Sequence, residues 1–584
     1  MTLPFPLEAG SPTPQGWASQ CLRSNHGGTI WSHRGLSEAA YSGDGGRHMT
    51  IGDLLDEQAR LRPDTPALID VRAGRTLTFA QLHREVAAAA AAWQAEGLRR
   101  GDAALVFVPM SADLYVALLG LFRFGGVALF LDPSAGREHL EACCARWAPN
   151  ALLAVPKAHL LRLRSSALRR IPLKFTSGGW FPLTRRWRPR ASAPTAAAAA
   201  SPPEPPHSHS PSAQPADPAL VTFTSGSTGV PKATVRTHAF LLAQYHALAP
   251  SLHLRPGDID LATLPIFVLA NLAAGVTTVL PDADLRRPGD VDAASLWEQI
   301  EHHRVTRITA SPAFFERLVA HGCSTQRSLP ALRHLHTGGA PVFPRLLEAL
   351  HRLAPAAEVV AVYGSTEAEP IAHLDRGAIS PDDLAAMASG RGLLAGPPVP
   401  ELRLAILADT FGQARAPVSE TTFHAARLPT GAIGEIVVTG DHVLKGYLGG
   451  HGDAETKFKV GDETWHRTGD AGSLDATGRL WLNGRCSARI DDAHGRLYPF
   501  GVECMAMTFP EVRRAALVAH HGHRVLVIEA TEPTPELKAR LTTAVAPAHV
   551  QEVLFLTRLP VDRRHNAKID YPALQKELAG RNRA

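Results

Sequence analysis

Apolar and polar positions fall into a regular pattern from about Met49 onward. Upstream, residues 1 to about 48 are Gly-, Pro- and Ser-rich with little periodicity, which reads as a poorly ordered extension without a basic-then-apolar leader. Thr78 with Gln81 has capping-box spacing. It predicts a helix through Ala87 to Ala92 that Gly97 ends. Short apolar runs at Ala104–Val108 and Val127–Leu131 read as strands, with a helix through Leu114–Phe122 between them. Strand–helix–strand alternation predicts a parallel sheet covered on both faces. The alternation resumes with strands at Leu220–Phe223, Ile308–Ala310, Leu335–Thr337 and Val359–Val362. Past Gly440 the texture changes to short β segments and Gly-rich turns. Beyond Arg485 about one hundred residues remain, enough for a small α+β domain. The expected architecture is therefore α/β. A large domain (49–484) with parallel sheets and a β-rich subdomain precedes a small mobile α+β domain (485–584).

Composition narrows the class. The chain of 584 residues is too long for a single core, and 45% hydrophobic with 20% charged residues fits a globular protein. A net charge of +5 gives nucleic-acid binding no global support. Leu261 to Leu280 is uncharged and long enough to span a bilayer, yet Pro265, Asn271 and Gly275 interrupt it. It reads as strand, turn, helix and strand in a buried core. Cys21, Cys143, Cys144, Cys323, Cys486 and Cys504 form no C-x-x-C pair, so free thiols in a reducing cytoplasm are expected.

Two stretches break the α/β texture. Lys157 to Arg190 carries ten Lys and Arg and no acid, interleaved with Trp180, Phe181 and Trp187. It reads as a solvated loop or, more sharply, as a peripheral contact with the inner face of a membrane. Ala191 to Pro218 is low-complexity Ala/Pro/Ser/His and reads as a flexible insertion.

The chemistry is announced by Thr224-Ser225-Gly226-Ser227-Thr228-Gly229-Val230-Pro231-Lys232, directly after an apolar strand. Alternating hydroxyls and glycines let the backbone turn tightly and present N–H groups to phosphate oxygens, and Lys232 adds a cation. No Gly-Lys-Ser/Thr closes the segment, so it is not a P-loop.

At this loop the chain resembles the AMP-dependent synthetases and ligases, which include acyl-CoA synthetases, luciferases and adenylation domains. Further motifs occur in family order: His336-Thr337-Gly338-Gly339-Ala340-Pro341, Tyr363-Gly364-Ser365-Thr366-Glu367, Gly434-Glu435-Ile436 with Gly446-Tyr447, Arg467-Thr468-Gly469-Asp470, Gly484-Arg485 and Asn566-Ala567-Lys568-Ile569. The resemblance covers about residues 50 to 580. It implies ATP as co-substrate and an acyl-AMP intermediate with release of pyrophosphate. It also implies a role for each site residue. Thr224 to Gly229 and Lys232 steady the β- and γ-phosphates. Gly338 to Pro341 form the adenine-side turn. Tyr363, beside Gly364, offers adenine a flat face. Thr366 donates to a phosphate oxygen, and Glu367 helps hold Mg²⁺. Asp470 accepts both ribose hydroxyls, and Arg485 lies near ribose and phosphate. Lys568 bridges the attacking carboxylate and the α-phosphate. Two anions must meet, so cations lower the barrier.

The departures concern the second step. CoA-transferring members usually carry His where Leu264-Pro265-Ile266-Phe267-Val268 has Val268. Their charged hinge residue is Ser487 here, and Asp491 replaces a lysine. These changes weaken the case for CoA. Together with Arg564-His565-Asn566-Ala567-Lys568-Ile569 they resemble the olefin-biosynthesis β-lactone synthetases. The resemblance implies activation of a 3-hydroxy fatty acid, whose own hydroxyl then closes a β-lactone. Partner enzymes of a lipid pathway would be its associates. Alternatives are a fatty acyl-CoA ligase or acyl-AMP ligase passing the acyl group to a thiol, and a non-catalytic homologue.

Overall fold

The computed structural model describes residues 49–132, 136–187, 213–225, 231–561 and 568–581. The first predicted helix start forms as expected. Gln81 N donates to Thr78 Oγ1 at 3.2 Å, and Thr78 N donates to Gln81 Oε1 at 2.9 Å. The helix is Phe79–Ala95, and the chain leaves it through Gly97 with φ +95°.

Among the described residues two large sheets carry the α/β part. In the eight-stranded sheet, Glu358–Ser365, His334–Gly338, Arg307–Ala310, Ile259–Ala262, Thr277–Leu280 and Pro66–Asp70 run parallel in that order. Antiparallel Ala368–Asp375 and Arg75–Thr78 close its edges. The seven-stranded sheet is parallel from Arg185–Arg186 through Ala103–Phe107 to Pro218–Ser225, and Pro231–Thr237 adds an antiparallel edge. Both sheets are covered by helices such as Ala112–Phe124, nearly all of whose residues are buried. An antiparallel six-stranded sheet holds Leu402–Leu407, Gly434–Gly440, Glu463–Leu474 and Leu480–Arg485. After Arg485 come the sheet Val512–His520, His523–Ala530 and Glu552–Phe555 and three helices, with a buried cluster around Leu517, Leu526 and Ile528.

The uncharged stretch resolves into strand Ile259–Ala262, helix Pro265–Ala274 and strand Thr277–Leu280, all largely buried. Among the described residues no helix is long and apolar enough to cross a membrane. The five described cysteines are free thiols.

Two expectations are corrected. The basic segment is not one continuous loop. It forms the short helices Pro156–His159 and Ser166–Arg170 and the strands Leu173–Thr176 and Arg185–Arg186. Trp187 is a core residue, 4.1 Å from the Trp93 ring and 5.7 Å from Phe175 between centroids. The insertion expected over 191–218 lies outside the described residues as far as 212, but its end is folded. Arg100 holds Asp217 with two hydrogen bonds of 2.7 Å, and Pro218 opens a strand. The expected extension over 1–48 lies outside the described residues.

Candidate active site

Parallel strands deliver their C-terminal ends to one rim, the usual place for a ligand in an α/β sheet. Here that rim borders a cavity of about 750 Å³. Its walls include Gly339, Ala340 and Pro341 after the strand His334–Gly338, and Tyr363 and Gly364 near the end of Glu358–Ser365. Asp470, Arg485 and Ser487 come from the antiparallel sheet and the turn after it, and Lys568 from the C-terminal segment. Residues separated by more than 200 positions in the sequence thus line one space.

Local geometry explains the glycines. A Cβ on Gly338 would stand 2.5 Å from the carbonyl oxygen of Val362 on the next strand, and Gly339 has φ +82°. Tyr363 Oη donates to Asp470 Oδ2 at 2.7 Å, and Arg485 Nη1 lies 3.0 Å from Asp470 Oδ1. Asp470 and Arg485 are register partners on neighbouring strands. Burial, and then the Asp470 charge, hold the Tyr363 phenol well above its usual range, while Asp470 raises Arg485. An anionic acceptor backed by a cation at the mouth of a cavity suits a polyol such as ribose.

The Lys568 segment is anchored. Ile569 bridges to Val561, Asp570 N donates to the Pro560 carbonyl at 3.0 Å, and Tyr571 Oη donates to Glu503 Oε1 at 2.7 Å. Burial pushes Glu503 up to about 7 against the opposing pull of Tyr571 and Leu517 N.

Glu367 belongs to a neighbouring polar cluster rather than to the cavity wall. Tyr447 Oη donates to Glu367 Oε1 at 2.7 Å. Burial would raise this carboxyl, but His466, Tyr447 and Lys457 outweigh it and hold Glu367 below its ordinary range. Lys457 Nζ donates to His466 Nδ1 at 3.0 Å, and burial lowers Lys457 to about 7. The donor at Glu367 is therefore an ionised, oriented oxygen ligand, which fits Mg²⁺. Lys232 points into the same cluster, 3.6 Å from Glu455 Oε2 and 5.5 Å from the Tyr447 ring centroid.

Gly226, Ser227, Thr228 and Gly229 lie outside the described residues, as do the side chains of Thr224 and Ser225. The backbones of Thr224 and Ser225 pair with Lys232 and Pro231, so the strands that flank residues 226–230 are antiparallel. The Thr366 carbonyl accepts from Arg236 Nη2 at 3.0 Å, and Arg236 Nη1 donates to Thr222 Oγ1 at 3.2 Å. Arg236 thereby ties the Tyr363–Glu367 turn to the strand that enters the loop. Sequence reasoning missed Arg236, Lys457 and His466. No local signal marked them, because the strands Pro231–Thr237, Lys457–Val460 and Glu463–Leu474 each carry more than one polar residue. Of the departures, Val268 is fully buried in the helix Pro265–Ala274, whereas Ser487 lines the cavity. Asp491 is engaged by Arg489 at 3.0 Å and Arg496 at 2.7 Å.

The AMP-binding enzyme family model matches residues 55–448. The olefin beta-lactone synthetase of Stenotrophomonas maltophilia is 32% identical over 90% of this chain and 97% of its own length. That of Xanthomonas campestris pv. campestris is also 32% identical, over 90% and 97%. An indoleacetate–CoA ligase of Aromatoleum aromaticum is 28% identical over 88% and 95%. Among solved structures, the amide bond synthetase McbA from Marinactinospora thermotolerans shares the fold with a TM-score of 0.72 at 23% identity, covering 90% of this chain and 99% of that one. The anthranilate CoA ligase AuaEII in complex with anthranoyl-AMP does so with a TM-score of 0.73 at 19% identity, covering 92% and 99%. The chain is an adenylate-forming member of the AMP-binding enzyme family.

Proposed function

We propose that the enzyme activates a 3-hydroxy fatty acid as its acyl-AMP and then closes it to a β-lactone. The observation that carries the first step is the cavity that gathers Lys568, Tyr363, Asp470 and Arg485. In this reading adenine stacks on Tyr363 and Asp470 accepts the ribose hydroxyls. Lys568 sits between the substrate carboxylate and the α-phosphate. The carboxylate oxygen forms a bond to the α-phosphorus while the α–β bridging bond breaks and pyrophosphate leaves. Lys568 neutralises charge that converges there, a stabilisation strongest in the transition state. Glu367 would hold Mg²⁺, which supplies charge neutralisation on the phosphates. Thr224 to Gly229 with Lys232 would steady the β- and γ-phosphates, with Thr366 donating to a phosphate oxygen.

The second step is supported by the 32% identity to the two olefin beta-lactone synthetases and by Val268 and Ser487. The substrate's 3-hydroxyl oxygen attacks the acyl carbon, the bond to AMP breaks, and the hydroxyl proton passes to solvent. The nucleophile is already tethered, so no thiol site is needed. A small mobile domain from Arg485 onward, a cytoplasmic location and partner enzymes of a lipid pathway belong to the same proposal. Mass spectrometry of products from 3-hydroxy and simple fatty acids with Mg·ATP, with and without CoA, tests it. A lactone formed without CoA is expected. A thioester formed only with CoA overturns the second step and favours the acyl-CoA ligase reading.

A peripheral membrane contact is part of the proposal for a greasy substrate. Leu163, Trp180 and Leu183 are 73%, 76% and 87% exposed. Arg162 reaches the loop that bears Trp180 and Leu183 through the Pro182 carbonyl and the Phe181 ring, which groups these apolar tips among arginines. Cosedimentation with phosphatidylglycerol vesicles should fall in a Trp180→Ala/Leu183→Ala variant. Equal binding by wild type and variant refutes the contact.

A further inference from the structure

A second cluster of metal-binding groups lies at the other end of the same strands. His334 opens the strand His334–Gly338, Glu358 opens its parallel neighbour, and the two are register partners. Gly339 and Tyr363, which line the cavity, stand at or beyond the opposite ends. His253 joins the pair from just beyond the helix His238–Ser251. His253 Nδ1 is 2.8 Å from Glu358 Oε2, and His334 Nδ1 is 3.2 Å from the same oxygen. All three ligand atoms lie within 4.8 Å of one another. Ligands at zinc distances of about 2.0–2.1 Å in a tetrahedron stand about 3.3 Å apart. The two spacings to Glu358 Oε2 lie slightly below that value, so small side-chain rotations would open them around an ion.

The backbone is arranged to place His253 there. Its φ is +50°, a left-handed conformation that is uncommon outside glycine and needs support from its surroundings. The support is Arg307, whose side chain is fully buried. Its Nη1 donates to the His253 carbonyl at 3.1 Å and its Nη2 to the Leu252 carbonyl at 2.6 Å. Asp258 at 3.1 Å and Asp260 at 3.6 Å face the guanidinium, so Arg307 does not set a bare positive charge against a cation. Exposure at Glu358 and His253 gives an ion a path in from solvent.

We propose that His253, His334 and Glu358 bind one zinc-class divalent ion, with water as fourth ligand, pinning the end of the helix His238–Ser251 to the sheet. Two imidazoles and one carboxylate select zinc or cobalt over magnesium or calcium. The site stands apart from the adenylation machinery and does not depend on the proposed reaction.

The test uses untagged full-length protein, stripped with chelator and dialysed against Zn²⁺. Metal content is measured for wild type, His253→Ala and Glu358→Gln. Other histidines of the chain also take up zinc, so the reading is a difference. Wild type should hold one equivalent more than either variant. Wild type loaded with Co²⁺ should show the visible bands of tetrahedral cobalt, and the variants should lack them. Zinc should raise the melting temperature of wild type and leave that of His253→Ala unchanged, while apo adenylation rates stay equal. Equal zinc content in wild type and both variants, or no zinc above the buffer level, overturns the proposal. The His253 side chain is 43% exposed, so its variant keeps the test decisive should Glu358→Gln fail to fold.

Discussion

Replacing Asp470 by Asn tests the ribose assignment with almost no change of shape. Both carboxylate oxygens are acceptors in the structure, one facing Tyr363 Oη at 2.7 Å and the other Arg485 Nη1 at 3.0 Å. An amide keeps one acceptor and turns an N–H toward a donor. A hydrogen bond to a charged group is worth about 1.5–3 kcal/mol. Two such bonds to ribose, weakened but not abolished, give a loss of about 3 kcal/mol, or about 150-fold in ATP affinity. The side chain is only 19% exposed, so solvent replaces little of this. Stability falls as well, because Asp470 also holds Tyr363 and Arg485. Tyr363→Phe separates the two effects, since it removes the phenol and leaves the Asp470–Arg485 pair. It should lower the melting temperature while changing ATP affinity less than about fivefold. ATP binding by calorimetry and pyrophosphate–ATP exchange measure both variants. An Asp470→Asn enzyme that melts lower but binds ATP within about threefold of wild type would refute the reasoning. Asp470 would then be only a structural partner of Tyr363 and Arg485.

Lys568→Ala should cut acyl-AMP formation by orders of magnitude in pyrophosphate exchange, and near-normal exchange counts against its role. Gly338→Ala sets a Cβ 2.5 Å from the Val362 carbonyl oxygen, and overpacking of this kind costs about 1–3 kcal/mol, read as a lower urea midpoint. Glu503 is raised to about 7 in the fold. Between the ordinary carboxyl range and pH 7 the native state thus binds more protons than the unfolded chain, and stability should decline as pH rises through that window. Glu503→Gln should flatten the decline, and a wild-type profile without it speaks against a buried carboxyl. Removing residues 191–212 should preserve adenylation. Extending the deletion to Pro218 removes the Arg100–Asp217 pair and the first strand residue, and should lower the melting temperature seen by circular dichroism.

Local signals were legible where the chain decides its own structure. The Thr78–Gln81 box, the strand–helix–strand around Ala112–Phe124 and the folded reading of Leu261 to Leu280 follow from neighbours within a few residues. The segment from Lys157 to Arg190 was misread for the opposite reason. Its burial is set by Trp93, about a hundred positions from Trp187, and no pattern within the segment encodes that partner. The end of the insertion was missed because Asp217 finds Arg100 only in three dimensions. At the site, motifs marked Tyr363, Asp470, Arg485 and Lys568, which line one cavity. They did not reveal that Glu367 and Lys232 sit in a separate cluster with Tyr447, Lys457 and His466, because Lys457 and His466 pair across strands. Arg236 carried no motif, and only its reach to the Thr366 carbonyl marks it.

The cavity draws its walls from both sides of Arg485, and Arg345 links them by donating to the carbonyls of Val512 and Arg513. Together with the hold of Arg489, Arg496 and Tyr498 on Asp409, Arg345 acts as a latch on the chamber. If a long acyl product leaves by parting those walls, the latch sets a toll on every turnover. The catalytic rate would then be governed by how often the latch releases and would slow with solvent viscosity, even though Arg345 performs no chemistry.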